Sequence, residues 1–295
     1  MTPSPETVPL SELDTLWSFD DAARSERAFQ VVVGRARAEE NGRVLAEALT
    51  QLARAQGLQG RFDDARQTLD DAEAALRGDD DRARVRFLLE RGRVANSSGA
   101  EGRGRDEFLE AWELARAAGE DALAVDAAHM LGIVEPPERA WSWNERATEL
   151  ARASADPRAR RWVASLANNM GWACHEAGRY DDALSLFRTA LEERRATGSP
   201  GQLRIARWCV ARCLRSLGRV DEALAEQRAL ARELAAASLD DGYVDEEIGE
   251  CLLELGRDDE ARPSFARAAE LLAADPAVTP ERLERLRAAG AQTEP

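Results

Sequence analysis

Residues 167–191 read ANNMGWACHEAGRYDDALSLFRTAL and contain two helical stripes separated by a turn. The first stripe consists of small and apolar residues spaced for one face of an α-helix: Ala167, Met170, Gly171 and Cys174. The second stripe also has a spacing that places its residues on one helix face: Ala183, Phe187, Ala190 and Leu191. Between the stripes, Gly178 is typical of a helix end, and Asp181 and Asp182 suit the start of the next helix. The stretch therefore predicts a helical hairpin.

The spacing of small residues in this hairpin recurs along the chain. Gly171, Ala183 and Ala190 lie 12 and then 7 residues apart. Five further sets keep these spacings: Ala53/Ala65/Ala72, Gly92/Gly104/Ala111, Ala128/Ala140/Ala147, Ala211/Ala223/Leu230 and Gly249/Ala261/Ala268. Four turns also recur as Gly-Arg followed by an acidic pair, beginning at Gly60, Gly178, Gly218 and Gly256. Helices approach closely only where side chains are small, so the recurrence predicts six successive hairpins over residues 43–274.

This unit resembles the tetratricopeptide repeat (TPR), which has a small residue in its first helix and an A…F…A pattern in its second. The signature aromatic is phenylalanine in three of the units: Phe108, Phe187 and Phe265. The other three units have different residues there: Leu69, Asn144 and Gln227. The resemblance implies an all-α, right-handed superhelical solenoid of about six helical hairpins, with the first helices lining a concave surface that binds extended peptides.

The segments around the repeats predict the remaining domain organisation. Residues 1–18 are rich in Pro, Ser, Thr and Glu and predict a disordered leader. Residues 19–35 predict an N-terminal capping helix, and residues 279–289 a C-terminal one that begins at a Thr-Pro pair. Together with the hairpins of residues 43–274, these caps give about 14 helices.

The composition excludes several classes of function. A formal net charge of −15 argues against binding of nucleic acid or an anionic membrane surface. The sequence has no apolar run long enough to cross a bilayer and no signal-peptide profile at its start, so we expect a cytoplasmic protein. All basic residues are arginine, which excludes Schiff-base lysine chemistry and the lysine of a phosphate-binding loop.

Candidate residues for catalysis or metal binding are few. The two histidines, His129 and His175, have no nucleophile and acid at a spacing that would support catalysis. Cys209 and Cys213 are four residues apart and could share a metal, but we favour the interpretation that the four cysteines are small buried apolar side chains. We therefore expect no enzyme activity, no cofactor and no bound metal.

A candidate binding surface lies on the first helices, opposite their core stripes. Its residues are Arg86, Arg93, His129, Arg161, Asn168, Trp172, His175, Trp208, Arg212 and Arg215. With Arg54, the lining has six arginines against three glutamates, Glu47, Glu246 and Glu250, and this predicts a positive groove. Arginine binds carboxylates through two bonds, asparagine binds peptide backbones, and tryptophan gives rigid contact area. These residues predict binding of an acidic peptide segment.

The sequence leaves alternatives open for this surface. Arg212 and Arg215 could instead pair with Glu246 and Glu250 of the next first helix, and Trp172 and Trp208 could fill a narrow groove. For function, the first hypothesis is a non-catalytic protein–protein interaction adaptor whose partner is a protein or peptide. The alternative is a regulatory sensor of a small anionic ligand or signalling peptide. Self-association through the terminal helices is a further hypothesis.

Overall fold

The computed structural model describes residues 10–18, 21–78, 80–99 and 104–291, and in these ranges all regular structure is helical. A 3-10 helix spans Leu10–Leu16. The α-helices are α1 (Ala22–Ala38), α2 (Gly42–Leu58), α3 (Phe62–Ala75), α4 (Asp81–Ser97), α5 (Arg105–Ala118), α6 (Asp121–Val134), α7 (Pro137–Ala153), α8 (Pro157–Arg160), α9 (Trp162–Glu176), α10 (Tyr180–Thr197), α11 (Pro200–Ser216), α12 (Val220–Ala236), α13 (Gly242–Glu254), α14 (Asp258–Leu272) and α15 (Pro280–Gly290). The all-α fold predicted from the repeats is confirmed.

The helices group into two compact units, which are divided in the sequence between Trp162 and Val163. In unit 1, the hairpins α2–α3, α4–α5 and α6–α7 follow the first helix α1. In unit 2, the hairpins are α9–α10, α11–α12 and α13–α14, and α15 follows them. The first helices of the hairpins are thus α2, α4 and α6 in unit 1, and α9, α11 and α13 in unit 2.

The recurring Gly-Arg turns have a common geometry. Gly178 has a φ of +73°, a left-handed conformation that glycine adopts without steric cost. The next residue, Arg179, donates its backbone N–H to the carbonyl of Cys174 over 2.9 Å and so closes the last turn of α9. Its side chain lies 3.2 Å from Asp182 in the first turn of α10. The same ion pair forms in the other three turns: Arg61–Asp64, Arg219–Glu222 and Arg257–Glu260.

A glycine in the first helix accompanies each signature phenylalanine in the second helix. Gly171 precedes Phe187 by sixteen residues, and a Cβ atom added to Gly171 would lie only 2.7 Å from Cε1 of the ring. Two other hairpins repeat this arrangement at the same separation: Gly92 with Phe108 at 2.6 Å, and Gly249 with Phe265 at 2.9 Å. All three rings are buried, so the ring occupies the space that a first-helix side chain would need.

The other hairpins have alanine in the first helix and a smaller or more flexible residue in the second. The pairs are Ala53 with Leu69, Ala128 with Asn144, and Ala211 with Gln227. Departure from the phenylalanine signature is therefore matched by a departure from glycine sixteen residues earlier. In the three hairpins that have both, the glycine and the phenylalanine form one packing unit.

The N-terminal segment differs from its prediction. Residues 1–18 were expected to be disordered, but the 3-10 helix Leu10–Leu16 forms within them and Leu13 is fully buried. Apolar Leu13 and Trp17 supply the contact area that a disordered leader would lack. Residues 1–9 lie outside the described residues.

The terminal helices fall near the positions predicted for caps. Helix α1 spans Ala22–Ala38, against a predicted 19–35, of which residues 19 and 20 lie outside the described residues. The side chain of Asp21 caps it by accepting the N–H of Arg24 over 2.8 Å. Helix α15 spans Pro280–Gly290, against a predicted 279–289, and the hydroxyl of Thr279 caps it.

Candidate functional site

The first helices of unit 1 carry a surface of arginine, acidic and amide side chains, which we call the first-helix face of unit 1. It comprises Glu47, Gln51, Arg54, Arg82, Arg86, Glu90, Arg93, Asp126 and His129. Two ionic networks organise it, one around Arg86 and one around Arg93.

Arg86 is held by two carboxylates. It is 7% exposed, and its Nη2 lies 2.6 Å from Oδ1 of Asp14, while its Nε lies 3.3 Å from Oε2 of Glu47. Glu47 is fully buried and also pairs with Arg82 at 3.0 Å. Arg86 was predicted to be a groove residue that meets a partner, but in the structure its carboxylate partners come from the chain itself.

Asp14 brings the N-terminal segment onto this face. Besides Arg86, its carboxylate lies 3.5 Å from Arg82 and 3.5 Å from Arg158, which belongs to α8. Burial alone would raise the pKa of Asp14, but Arg86, and after it Arg82 and Arg158, lower the pKa below its usual value. The carboxylate is therefore ionised and bound by several arginines.

Trp17 adds an aromatic contact three residues later. Its indole N–H donates to Oε1 of Gln51 over 2.9 Å, and its ring centroid lies 5.0 Å from that of Phe29. The guanidinium of Arg54 lies 5.7 Å from the centroid of the Trp17 ring, within cation–π range. Residues 13–17 thus occupy part of the first-helix face of unit 1 in the manner of a bound peptide.

The second network surrounds Arg93. Its guanidinium lies 2.5 Å from Glu90 and 2.5 Å from Asp126, and Arg54 reaches Glu90 at 3.1 Å. Burial would lower the pKa of Arg93, but Asp126 and Glu90 raise it above its usual value. Arg93 is therefore charged and already neutralised.

His129 lies beside this network. Its ring centroid is 5.2 Å from that of Trp162, and its Nδ1 is buried without a hydrogen-bond partner among the described residues. Burial lowers the pKa of His129, and the nearby charge of Asp126 only partly opposes this. The imidazole is neutral at physiological pH and packs against tryptophan.

In unit 2 the first helices carry a row of aromatic rings: His175, Trp172, Trp208 and Tyr243, which we call the aromatic row. The centroids of Trp172 and Trp208 are 6.1 Å apart, and those of Trp208 and Tyr243 are 6.4 Å apart. The indole N–H of Trp208 donates to the carbonyl of Tyr243 over 3.1 Å. Trp172 also contacts Phe187 of the core at 5.1 Å. The four rings are half-buried, so each ring packs against the protein and leaves part of its surface accessible to a partner.

His175 ends the row with a polar contact. Its Nε2 lies 2.9 Å from the hydroxyl of Ser216, which also accepts Nη1 of Arg212 over 3.0 Å. Burial and then the charge of Arg212 lower the pKa of His175. A neutral imidazole here can exchange hydrogen bonds but adds no charge to the surface.

Arg212 and Arg215 form ion pairs, as the alternative interpretation of the sequence expected, but with different partners. Arg212 lies 3.0 Å from Glu247, and Arg215 lies 2.9 Å from Glu247 and 2.5 Å from Glu254. The two glutamates that were expected as partners bind α15 instead: Glu246 pairs with Arg282 and Arg285, and Glu250 with Arg285. C-terminal helix α15 therefore takes up the acidic side chains that the sequence assigned to the groove.

The remaining candidates are Arg161 and Asn168. Arg161 is exposed at the end of unit 1 and makes no ion pair with any described residue. Asn168 is half-buried in unit 2 and accepts the thiol of Cys209 over 3.4 Å. The structure thus brings Asn168 together with Trp172, His175, Trp208, Arg212 and Arg215 in one unit, and Arg86 with Arg93 and His129 in the other.

The prediction of a positive groove is wrong in its count of charges. Asp14, Glu90, Asp126 and Glu247 lie on the same faces and neutralise the arginines there. Glu247 directly follows Glu246, which was assigned to the lining, and the arginine side chains are long enough to reach it. Asp14 and Trp17 were not predicted because their segment was expected to be disordered. Gln51 and Arg82 lie on first helices but outside the positions that were assigned to the lining.

No metal or nucleophile site emerges among the residues that the structure describes. No group of three His, Cys, Asp or Glu side chains converges there closely enough to hold a metal ion. The four cysteines are buried, and burial raises the pKa of Cys209 to about 12 and that of Cys213 to about 11. These thiols are protonated and pack as small apolar side chains. Within the described residues, no helix is long and apolar enough to cross a membrane.

Comparison with known proteins extends the resemblance found in the sequence. The family model of the tetratricopeptide repeat matches residues 165–200. Among curated proteins, none matches the sequence significantly. The solved structures that resemble this chain include several proteins described as tetratricopeptide repeat proteins.

Three solved structures illustrate the likeness. A Signal Transduction ATPase with Numerous Domains from Pyrococcus horikoshii, which has a tetratricopeptide repeat sensor, is 13% identical with a TM-score of 0.68, and the match covers 96% of this chain and 46% of that one. BtubC from P. vanneervenii is 19% identical with a TM-score of 0.60, covering 74% and 92%. The apo quorum sensor NprR from B. thuringiensis is 12% identical with a TM-score of 0.51, covering 89% and 86%. At these identities the likeness is one of fold.

Proposed function

Because the chain is a tetratricopeptide repeat protein, we propose that it is a non-catalytic adaptor that binds a protein segment along its first helices. Among proteins of similar fold, NprR has a structure in complex with its cognate peptide NprX, with a TM-score of 0.53 and 16% identity to this chain. That complex supports a peptide as the class of ligand. The residues of this chain support a more specific ligand.

The observation that carries the proposal is the position of residues 13–17 on the first-helix face of unit 1. Asp14 supplies a carboxylate to Arg86 at 2.6 Å, and Trp17 supplies an indole N–H to Gln51 at 2.9 Å. Both contacts are of the kind that a partner peptide would make, since arginine recognises carboxylates and buried tryptophan needs an acceptor. We therefore assign the partner segment the same chemistry: an acidic residue followed at short distance by an aromatic one.

The aromatic row of unit 2 suits the same class of segment. Trp172 and Trp208 present half-buried rings, and tryptophan is enriched among residues that dominate binding energy. Arg212 lies next to the row with its charge shared with Glu247 at 3.0 Å. An apolar or aromatic side chain of a partner would stack on the row, and a polar backbone would meet Asn168.

A peptide offered in trans tests the proposal on the full chain. The probe is fluorescein-labelled LSELDTLWS, the sequence of residues 10–18. In the wild-type chain the internal segment competes with the probe, so we expect weak binding by fluorescence anisotropy. The double variant Asp14→Ala/Trp17→Ala weakens that competitor and should bind the probe at least about tenfold more tightly.

A matched probe with asparagine at the position of Asp14 provides the control. It has the same length and shape but cannot form the charged pair with Arg86, so we expect its affinity to be about tenfold lower. Equal affinity for the two probes, or no binding of either to the double variant, would contradict this mode of recognition.

A further inference from the structure

A pocket of about 160 Å³ opens between α9, α10 and α11 in unit 2. Its lining consists of three alanines, one isoleucine and five polar side chains: Ala164, Ala190, Ala206, Ile205, Ser165, Asn168, Asn169, Arg194 and Gln202. Arg194 is the sole charged group of this lining.

Arg194 occupies a position that is apolar in every other hairpin. It lies eleven residues after Ala183, the small residue that begins the second-helix stripe. At the same distance from the equivalent residue, the other hairpins have Leu76, Ala115, Ala151, Leu234 and Leu272. Ala115 and Ala151 are fully buried and Leu272 is 4% exposed, so this position normally closes the core. In one hairpin alone, a cation replaces the apolar residue.

The charge of Arg194 is not compensated. Its Nη2 donates to the hydroxyl of Ser165 over 2.9 Å, and no carboxylate of the described residues lies within ion-pair distance. Three other hairpins have an acid two residues before the small residue of the first helix, at Glu90, Asp126 and Glu247; the remaining two have Gln51 and Cys209, and this hairpin has Asn169. The pocket therefore combines a cation with a neutral residue at a position where three hairpins have an acid.

The effect on ionisation agrees with the geometry. Burial lowers the pKa of Arg194 and no acid opposes it. By contrast, Arg207 of the following helix pairs with Glu226 at 2.5 Å, and its pKa is raised. A half-buried guanidinium without an anion is destabilising unless a ligand supplies one.

We propose that this pocket binds a carboxylate on a short apolar stem. The guanidinium of Arg194 would take the two carboxylate oxygens, because its planar donors match that geometry. The amides of Asn168 and Gln202 can donate to the same group, and Ala164, Ala190 and Ala206 would contact the stem. One cation with neutral amides balances a monoanion, which favours a carboxylate over a phosphate dianion.

The carboxylate could come from an acidic side chain of a bound peptide or from a free small acid. Both sources present the same chemistry to Arg194, and two pairs of probes distinguish them. Butyrate and butyramide represent the free acid and its neutral control. The capped tripeptides acetyl-Ala-Glu-Ala-amide and acetyl-Ala-Gln-Ala-amide represent the side chain and its control.

The test is a titration of the full chain by nuclear magnetic resonance, with the side-chain amide signals of Asn168 and Gln202 as the readout. The variants are Arg194→Leu, which restores the apolar residue of other hairpins, and Arg195→Leu, which removes a neighbouring arginine that is 55% exposed and pairs with Glu192. Because leucine is native at this position in other hairpins, Arg194→Leu should keep the fold, which circular dichroism checks. Arg194→Gln provides a second, polar variant.

We expect a carboxylate probe to shift both amide signals in the wild type and in Arg195→Leu, with at least about tenfold weaker binding to Arg194→Leu and Arg194→Gln. Tighter binding of butyrate would identify a free acid as the source, and tighter binding of the glutamate tripeptide would identify a peptide. Equal shifts with acids and amides, no shift with either acid, or unchanged affinity in Arg194→Leu would overturn the proposal. None of these results depends on residues 13–17. The test of this pocket is therefore independent of the test of the proposed function.

Discussion

Gln227 is fully buried in α12, yet neither polar atom of its amide has a hydrogen-bond partner among the described residues. It stands where other hairpins have phenylalanine, Leu69 or Asn144, sixteen residues after Ala211 of the first helix. A buried amide without partners costs about 1–3 kcal/mol relative to an apolar group of similar shape.

We therefore expect Gln227→Leu to raise the free energy of unfolding by about 1–3 kcal/mol. Chemical denaturation of the purified chain measures this directly. The matched control is Gln67→Leu at an exposed position, which should change stability little. If Gln227→Leu is neutral or destabilising, the amide must have partners that the described residues do not supply.

The ionised state of Asp14 gives a prediction for acid. Its pKa in the folded chain lies below the ordinary value of 3.8, because Arg86, Arg82 and Arg158 outweigh the effect of burial. Asp14 therefore contributes stability above pH 3.8, and this contribution is lost as the pH falls through the lower folded-state pKa. Asp14→Asn should have a lower thermal midpoint than the wild type near pH 6, and the gap should close as the pH falls below 3.8 and through the lower folded-state pKa.

The comparison of the two midpoints across this range removes the contribution of the other carboxylates, which titrate in both proteins. If the difference between the two thermal midpoints stays constant from neutral to acidic pH, the lower stability of Asp14→Asn arises from the shape of the side chain and not from its charge.

At the scale of the helical hairpin, the pairing of glycine with phenylalanine makes a sharper prediction. A methyl group on Gly171 would meet the ring of Phe187 at 2.7 Å, and the ring is fully buried and cannot move aside. We expect overpacking in Gly171→Ala to lower the free energy of unfolding by about 1–3 kcal/mol. The better helix propensity of alanine should offset up to about 1 kcal/mol of this loss.

The cost should depend on the ring. In Gly171→Ala/Phe187→Leu, which reproduces the native pair of Ala53 and Leu69, the penalty of the alanine should vanish. A double-mutant cycle in denaturant therefore yields a coupling free energy of about 1–3 kcal/mol between the two sites. Additive effects would mean that the correlation across the hairpins has no packing origin.

The hairpins themselves could be predicted from the sequence because their signal is local. Small residues such as Gly171 and Ala183 recur at fixed spacings, and helix packing requires them there whatever the rest of the chain does. The differences at Asn144 and Gln227 were also visible in the sequence, but the first-helix contacts of these side chains, such as that of Asn144 with Gly132, were not.

The ionic partners of the candidate site could not be predicted in the same way. Arg212 and Arg215 choose Glu247 over Glu246, a difference of one residue that rotates a side chain by about a quarter turn on the helix. Asp14 and Arg86 are 72 residues apart and meet only after the hairpins have packed. A charge count along the sequence therefore overestimated the positive charge of the surface.

At the scale of the whole molecule, the net charge of −15 opposes the arrival of an acidic segment, although arginines attract it at contact. The screening length is about 30 Å at 0.01 M salt and about 10 Å at 0.1 M, so added salt weakens the long-range repulsion. Salt also weakens the ion pairs that form at contact. For Asp14→Ala/Trp17→Ala and the labelled LSELDTLWS probe, we expect both the association and the dissociation rate constants to rise over this range of salt.

Stopped-flow anisotropy separates the two rate constants, and the asparagine probe, with one charge fewer, should show a smaller rise in association. An association rate constant that falls with salt would instead mean that a local positive field governs the approach.

The position of residues 13–17 on the first-helix face of unit 1 has a consequence for how this unit unfolds. In a chain of stacked repeats each hairpin contacts only its neighbours. The two ends can therefore unfold independently, and the stability of the whole is approximately the sum of the hairpins and their interfaces. Asp14 instead joins Arg82 and Arg86 of α4 to Arg158 of α8, across 144 residues of sequence. If either helix unfolds, the contacts of Asp14 with both helices are lost. The two helices are therefore expected to unfold together. Hydrogen exchange should accordingly give α4 and α8 similar opening free energies in the wild type and different ones in Asp14→Asn.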